Sequence, residues 1–288
     1  MQVSPKNATD AIDKLSLDAR KVSDWAYSVS LPLNHKKTKA IYFGTSTFVD
    51  RLHGANLSGV DIGGSVIIWF SEEVKRLGVI LDCRLSWNSQ ITSIERKVNR
   101  ILYTLRFIRH CTTETLCTRL VQALITPHLD YCNTVYLDAN IVLKARIQRL
   151  SNSGLRYIFG VRKDAHITPY RTKLNWLCID SRRLYFIAII IYKILRLRQP
   201  SYLVDIFIKY VPKDKARGYL RTKELSIPSL KDCEVLSFQV QVAEFWNSIP
   251  SNIRFFPSLN SFKTALYNYL LTLDSRSLKS KTTSLYRV

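Results

Sequence analysis

Acidic residues are scarce in this sequence. Asp and Glu number 22 against 43 Lys and Arg in 288 residues, for a formal net charge of +21 and a pI near 9.9. No acid occurs between Lys144 and Lys163. That surplus points to a polyanionic partner, most simply nucleic acid, with a solvated basic surface as the plainer alternative. Cysteine-pair motifs are missing as well. The six cysteines (83, 111, 117, 132, 178 and 233) contain no C-x-x-C, which disfavours a disulfide framework and reads as free thiols in an intracellular, nuclear or cytoplasmic setting. Cys111, Cys117, His128 and Cys132 have the ligand types for zinc at spacing C-x5-C-x10-H-x3-C, but Cys117 falls within an apolar helical pattern and no metal is expected.

Long apolar runs are absent too. The most apolar, Leu184–Leu195, contains Lys193 and is too short to span a bilayer. The N-terminus has no signal-peptide core, and Asp10, Asp13, Asp18 and Asp24 argue against a transit peptide. Basic amphipathic helices can also lie on anionic lipid, but no segment pairs a large apolar face with a lysine-rich one, so no membrane partner is expected. Internal repeats are missing. The apolar fraction of 47% is ordinary for a chain with a packed core.

What is present reads as a helix and a small sheet followed by helices. Ala11, Leu15, Val22, Trp25 and Ala26 give the first thirty residues an apolar helical face, broken by Pro32 and Asn34. A turn bearing Lys36, Lys37 and Lys39 leads into a short strand, Ala40–Phe43. Residues 45–64 are rich in Ser, Thr and Gly, with Gly63-Gly64 as a two-residue hairpin signal. Val66–Phe70 and Val74–Leu81 are the next expected strands, the second kinked at Gly78. After Trp87 the period lengthens: Ile91, Ile94, Val98, Ile101, Leu105 and Ile108 make one helical stripe, with Arg96, Lys97, Arg100, Arg106 and Arg109 on the other faces.

A second helix is expected over Thr113–Thr126, capped by Thr112 or Thr113, with Leu116, Leu120 and Leu124 inward and Pro127 ending it. Residues 139–159 set Leu143, Ile147, Leu150, Gly154 and Ile158 on one face and Lys144, Arg146, Arg149 and Arg156 elsewhere. An apolar helix covers Leu184–Leu197, residues 200–235 are looser, and a last helical pair precedes a tail from Ser275 with the composition of disorder.

In order and spacing, several of these segments resemble the C-terminal part of reverse transcriptases of non-LTR (LINE-like, jockey-type) retrotransposons. The residues that carry the resemblance begin with Val22–Trp25 and the turn Leu33-Asn34-x-x-Lys37-Thr38. They continue through Leu77-Gly78-Val79-x-Leu81-Asp82, Leu85-Ser86-Trp87 and Pro127-His128-Leu129-Asp130-Tyr131-Cys132. Leu174-x-Trp176-Leu177, Arg182-Arg183, Phe245-Trp246-Asn247-Ser248-Ile249-Pro250 and Ser261-Phe262-Lys263 complete the set.

The resemblance implies an α+β fold: a truncated antiparallel palm remnant (1–87), a helical thumb-like region (88–200), a helical extension (201–274) and a disordered basic tail (275–288). It places Lys37 near the phosphates of an incoming nucleotide and Leu77, Gly78 and Val79 in a primer grip. By their residues alone, Lys37 is a solvated turn lysine and Gly78 a structural bulge. The thumb reading makes Arg96, Lys97, Arg100, Arg106, Arg109, Lys144, Arg146, Arg149 and Arg156 contacts to an RNA/DNA template–primer duplex.

The family's chemistry uses Mg2+ held by carboxylates of a Tyr-x-Asp-Asp turn and an earlier strand. No Asp-Asp pair occurs in this sequence. The expectation is therefore a truncated copy or an incomplete gene product that needs its missing upstream segment to polymerise. No catalytic residue and no cofactor are assigned. A host-adopted, non-enzymatic nucleic-acid- or protein-binding protein is the alternative.

Overall fold

The computed structural model describes residues 7–55, 57–208, 225 and 238–285. The chain forms two compact units, Met1–Ser93 and Ile94–Val288. Among the described residues it is mostly helical, with two antiparallel sheets of two strands each, a helix-rich α+β fold.

In the first unit, α1 (Ala8–Ser28) buries Ala8, Ala11, Ile12, Ser16 and Ala26. The expected face is thus only partly correct, because Leu15, Val22 and Trp25 lie at the surface. The sheet decides the rotation. Ser16 Oγ accepts from Asp61 N at 3.1 Å, Ala19 packs on Val60, Ile62 and Ile68, and Arg20 pairs with Asp61 at 2.5 Å. Residues 40–43 make only one bridge, Ala40 to Phe70, instead of a strand. Within the Ser-, Thr- and Gly-rich stretch lies α2 (Ser46–Gly54): Thr45 Oγ1 accepts from Phe48 N at 3.4 Å, and Val49 and Leu52 are buried one turn apart. Strands β1 (Val60–Asp61) and β2 (Ile67–Ile68) are joined through Gly63, Gly64 and Ser65, all at positive φ, so the turn is longer than the two glycines alone suggested.

The stretch 74–81 is not one kinked strand. It is a hairpin of β3 (Glu73–Arg76) and β4 (Val79–Asp82), with Arg76 facing Val79 across a two-residue turn. Leu77 and Gly78 both have positive φ, +47° and +83°, as such a turn requires. Glycine takes this conformation without cost, whereas leucine is strained in it. Beyond β4, Asp82 organises the passage into the next helix. Its carboxylate accepts from Ser86 N at 3.0 Å and Trp87 N at 3.2 Å, holding Leu85 and Trp87 at positive φ. Gln90 then accepts from Ile80 N at 2.9 Å, and Ser89 bonds Glu73, so the hairpin is stitched to the helix start.

That helix, α3 (Asn88–Phe107), begins in the first unit and continues into the second. It buries Ile91, Ile94, Val98, Leu102 and Leu105, so the stripe runs through Leu102 rather than Ile101 and ends before the exposed Ile108. Next comes α4 (Glu114–Leu124), capped by Thr113, with Cys117 and Val121 buried and Leu116 and Leu124 at the surface. Gly154 gives the reason: a Cβ there would lie 3.1 Å from Val121 Cγ1, so close approach of the neighbouring helix selects this face of α4. Pro127 does not stop the chain; it sits at the start of α5 (Thr126–Asp130), where its missing N–H costs nothing.

The approaching helix is α6 (Ile141–Phe159), followed by α7 (Thr168–Lys173), α8 (Ile179–Tyr192) and a π-helical turn over Lys193–Leu197. Then come α9 (Ser201–Ile208), α10 (Phe238–Ser248), α11 (Ser251–Arg254) and α12 (Leu259–Leu285). A single core joins Ile187 and Tyr192 of α8 to Trp246 of α10 and Phe262 and Leu266 of α12, so residues on both sides of position 200 share it. Tyr192 stacks on Phe262 at 4.4 Å. The tail expected to be disordered continues the α12 backbone to Leu285, since extending a formed helix adds a hydrogen bond for each residue fixed. Residues 209–224 and 226–237, most of the stretch expected to be looser, lie outside the described residues, as do 286–288.

Motif residues hold these pieces together. Arg182 grips Asp130 through Nε and Nη2 at 2.5 and 2.6 Å, tying α8 to α5 with both groups largely buried. Asn247 clamps the backbone of Leu225 with two bonds of 2.7 Å. Arg183 is 1% exposed, over the ring of Tyr136 at 5.3 Å, and burial pushes the Tyr136 phenol up to about 12.

Leu77→Asn removes the strain of a leucine at positive φ and should raise the unfolding free energy of the chain by about 0.5–1 kcal/mol. Asp82→Ala should lower it by about 1–2 kcal/mol. Urea unfolding checks both, and an unchanged midpoint for Leu77→Asn refutes a strained turn.

Candidate nucleic-acid interface

The expected site residues separate by unit. In the first, Lys37 stands exposed on a turn closed by its own N–H bonding Asn34 Oδ1 at 3.1 Å, with Thr38 Oγ1 donating to Asn34 O. Leu77 is 83% exposed at the hairpin tip, while Val79 is buried. The arginines and lysines of α3 and α6 belong to the second unit, and there the structure gathers some and separates others.

Two contacts set α3 alongside α6. Near the helix starts, Arg146 Nε donates to Glu95 Oε1 at 2.9 Å. At the other ends, Arg109, just past α3, donates from Nε to Tyr157 O at 2.9 Å, from Nη2 to Ile158 O at 3.0 Å and from Nη1 to Thr112 O at 3.2 Å. With 95 against 146 and 109 against 157, the helices run in the same direction. The Arg109 guanidinium thus satisfies carbonyls at the C-terminal end of α6 and opposes the negative end of its dipole. Gly160 completes that terminus at φ +64°, where a Cβ would stand 3.3 Å from Arg109 Nη2, so position 160 must be small for the clasp to close.

Between the two helices and the segment after α6 lies a groove of about 650 Å³. Arg106, Arg109, Arg149, Arg156 and Lys163 line it with Asn152, Ser153, Tyr157, Gly160 and Val161, and no acid is among the lining residues. Arg106, Arg149 and Lys163 are exposed. Arg156 is half-buried, and its Nε has no hydrogen-bond partner among the described residues. Four expected contacts therefore converge on one concave surface. Lys163 was missed as a site residue; its signal was the acid-free run of which it forms the end.

The others fall elsewhere. Arg96, Lys97 and Arg100 are exposed on α3 outside the groove, and Lys144 is half-buried on α6. Arg146 is committed to Glu95, and that hydrogen bond holds the Glu95 carboxyl below the usual carboxylate range against the opposing effect of burial. Among the described residues, no group of three or more His, Cys, Asp or Glu is placed to hold a metal ion. Of the cysteine–histidine quartet, Cys117 is buried beside the Thr112 hydroxyl at 3.1 Å and Cys111 is exposed. No helix of the described residues is long and apolar enough to cross a membrane.

The clasp and the groove separate on mutation. Arg109→Ala should destabilise the chain by about 2–3 kcal/mol, since charged hydrogen bonds to buried carbonyls are lost, whereas Arg149→Ala should change stability by less than about 0.5 kcal/mol. Glu95 adds a pH dependence. Its folded value is depressed, so its contribution is complete above the unfolded carboxyl value of about 4.3 and is lost as pH falls through the lower folded value. Glu95→Gln should flatten the acid limb of a thermal-unfolding profile; an unchanged limb removes the pair from the acid response. No family model, no curated protein and no solved structure matches the chain.

Proposed function

We propose that this chain is a nucleic-acid-binding segment of a non-LTR retrotransposon reverse transcriptase, gripping a template–primer duplex by its phosphates and performing no polymerisation itself. The observation that carries the binding half is the groove between α3 and α6, where Arg106, Arg149, Arg156 and Lys163 face a common space with no acid among its lining residues. A concave surface of one sign focuses the field and concentrates polyanions. Guanidinium groups suit phosphate because they donate in a planar fork. The net charge of +21 acts in the same sense at longer range.

The family half rests on the resemblance of the motif segments. Lys37 and the Leu77-Gly78 tip would be the polymerase-side contacts in that reading. Polymerase chemistry on the family's pattern needs paired carboxylates on Mg2+, and the sequence has no Asp-Asp pair. The upstream polymerase segment is then the partner that would supply them.

Binding through phosphates has a defined salt signature. Affinity for a template–primer duplex should fall linearly in log–log form with salt, with a slope of about −3 to −4 for about four phosphate contacts. Arg106→Ala, Arg149→Ala and Lys163→Ala should each lower the slope by about 1. A fluorescence-anisotropy titration between 50 and about 200 mM salt measures this, and a slope indifferent to all three changes rejects the groove as the grip. The purified chain should extend no primer with Mg2+ and deoxynucleotides. Extension that disappears on mutating one of its own acids would overturn the non-catalytic part.

A further inference from the structure

The outward face of α3 carries a feature the groove does not use. Its buried positions, Ile91, Ile94, Val98, Leu102 and Leu105, define one side of the helix. Steps of four, three and four residues place Arg96, Arg100, Tyr103 and Phe107 in a row along the opposite side. This row is about 16 Å long at 1.5 Å per residue. Tyr103 is 63% exposed and Phe107 60%. Their rings meet edge to face, with centroids 4.9 Å apart and planes at 86°. The Arg96 and Arg100 side chains are exposed, and among the described residues neither guanidinium is in an ion pair, although the Arg100 carbonyl accepts from Thr104 Oγ1 at 3.3 Å. Glu95, the acid of this helix, is turned away into its pair with Arg146.

The two rings contact each other at i,i+4 spacing, yet neither enters the core. Apolar side chains stabilise a helix by leaving water, and these two remain in it. The rings contact each other edge to face and are bordered along the helix by Arg96 and Arg100. Exposed rings beside exposed arginines can form a stacking platform: a nucleobase has a π-face for the ring, and its phosphate has charge for the guanidinium. Paired bases in a duplex are already stacked and cannot use such rings, so the surface selects unpaired ones.

We infer that the Arg96–Arg100–Tyr103–Phe107 face of α3 binds single-stranded nucleic acid, stacking unpaired bases on Tyr103 and Phe107 while Arg96 and Arg100 take the adjoining phosphates. The occupant is argued from charge complementarity together with the exposed rings. Arg106, on the same helix, lines the duplex groove. One helix therefore offers a phosphate grip on one flank and base stacking on its outer face, which suits a strand that leaves a duplex. This inference rests on the nucleic-acid reading above.

Three fluorescein-labelled probes separate the two: a blunt duplex, a single strand of the same length, and an abasic strand with the phosphates but no bases. Anisotropy titration of the full chain is expected to show Phe107→Leu and Tyr103→Leu each weakening the single strand by about tenfold. These variants keep a helix-forming apolar residue, and circular dichroism verifies the fold. The same changes should leave the blunt duplex and the abasic strand within about twofold, and Phe107→Trp should retain single-strand binding. Arg96→Ala should weaken both single-stranded probes alike. If duplex binding depends on Arg149 and Lys163 but the single strand binds equally well without either ring, this inference fails and the groove reading stands. If no probe binds, both fail, and self-association of the chain abolished by Phe107→Leu would identify the face as a protein contact instead.

Discussion

The clasp that Arg109 closes over the C-terminal end of α6 is the contact on which the basic groove of the second unit depends. Arg106 at the end of α3 and Arg149 and Arg156 of α6 line one groove. At one end Arg109 directs its guanidinium to the carbonyls of Tyr157 and Ile158; at the other Arg146 is neutralised by Glu95. The Glu95 carboxylate offsets the charge of Arg146, while Arg109 keeps its charge and fastens the end of α6 through neutral carbonyls. Charge-assisted bonds to half-buried partners are strong enough for this, whereas exposed pairs such as Arg162 with Asp164 contribute little.

The motif residues behind the family resemblance are, in this structure, largely joints. Asp82 holds the turn into α3, Asp130 and Arg182 tie α5 to α8, Asn247 clamps Leu225, and Phe262 stacks on Tyr192. Each depends on a particular polar or aromatic group meeting a distant partner, so such residues tolerate replacement poorly whatever the molecule does. The basic residues that line the groove belong to no such motif. A phosphate grip needs charge at roughly the right place, not a specified side chain at each position.

Much of the helical part was legible in the sequence. Thr113, one of the two expected cap residues, caps α4, and the apolar stripe of α3 was correct at Ile91, Ile94, Val98 and Leu105. The errors share a cause: where a helix has more apolar residues than one face can hold, periodicity offers two rotations. Leu102 displaced Ile101, and Cys117 and Val121 displaced Leu116 and Leu124, because a neighbour chose the face. In the sheet region the strands are two to four residues long, too short to show a period. The Leu77-Gly78 turn was hidden because leucine is not a residue from which positive φ is read.

The sequence by itself determined the charge surplus, the caps and the helical character of the second unit, because composition and local backbone preference are properties of a residue and its near neighbours. Which cations share a groove was decided only by the tertiary structure. Arg106 and Arg149 are far apart in the chain, and nothing local distinguishes Arg149, which lines the groove, from Arg146, which is bonded to Glu95. That distinction rests on contacts between residues some fifty positions apart, Arg146 with Glu95 and Arg109 with the carbonyls of Tyr157 and Ile158.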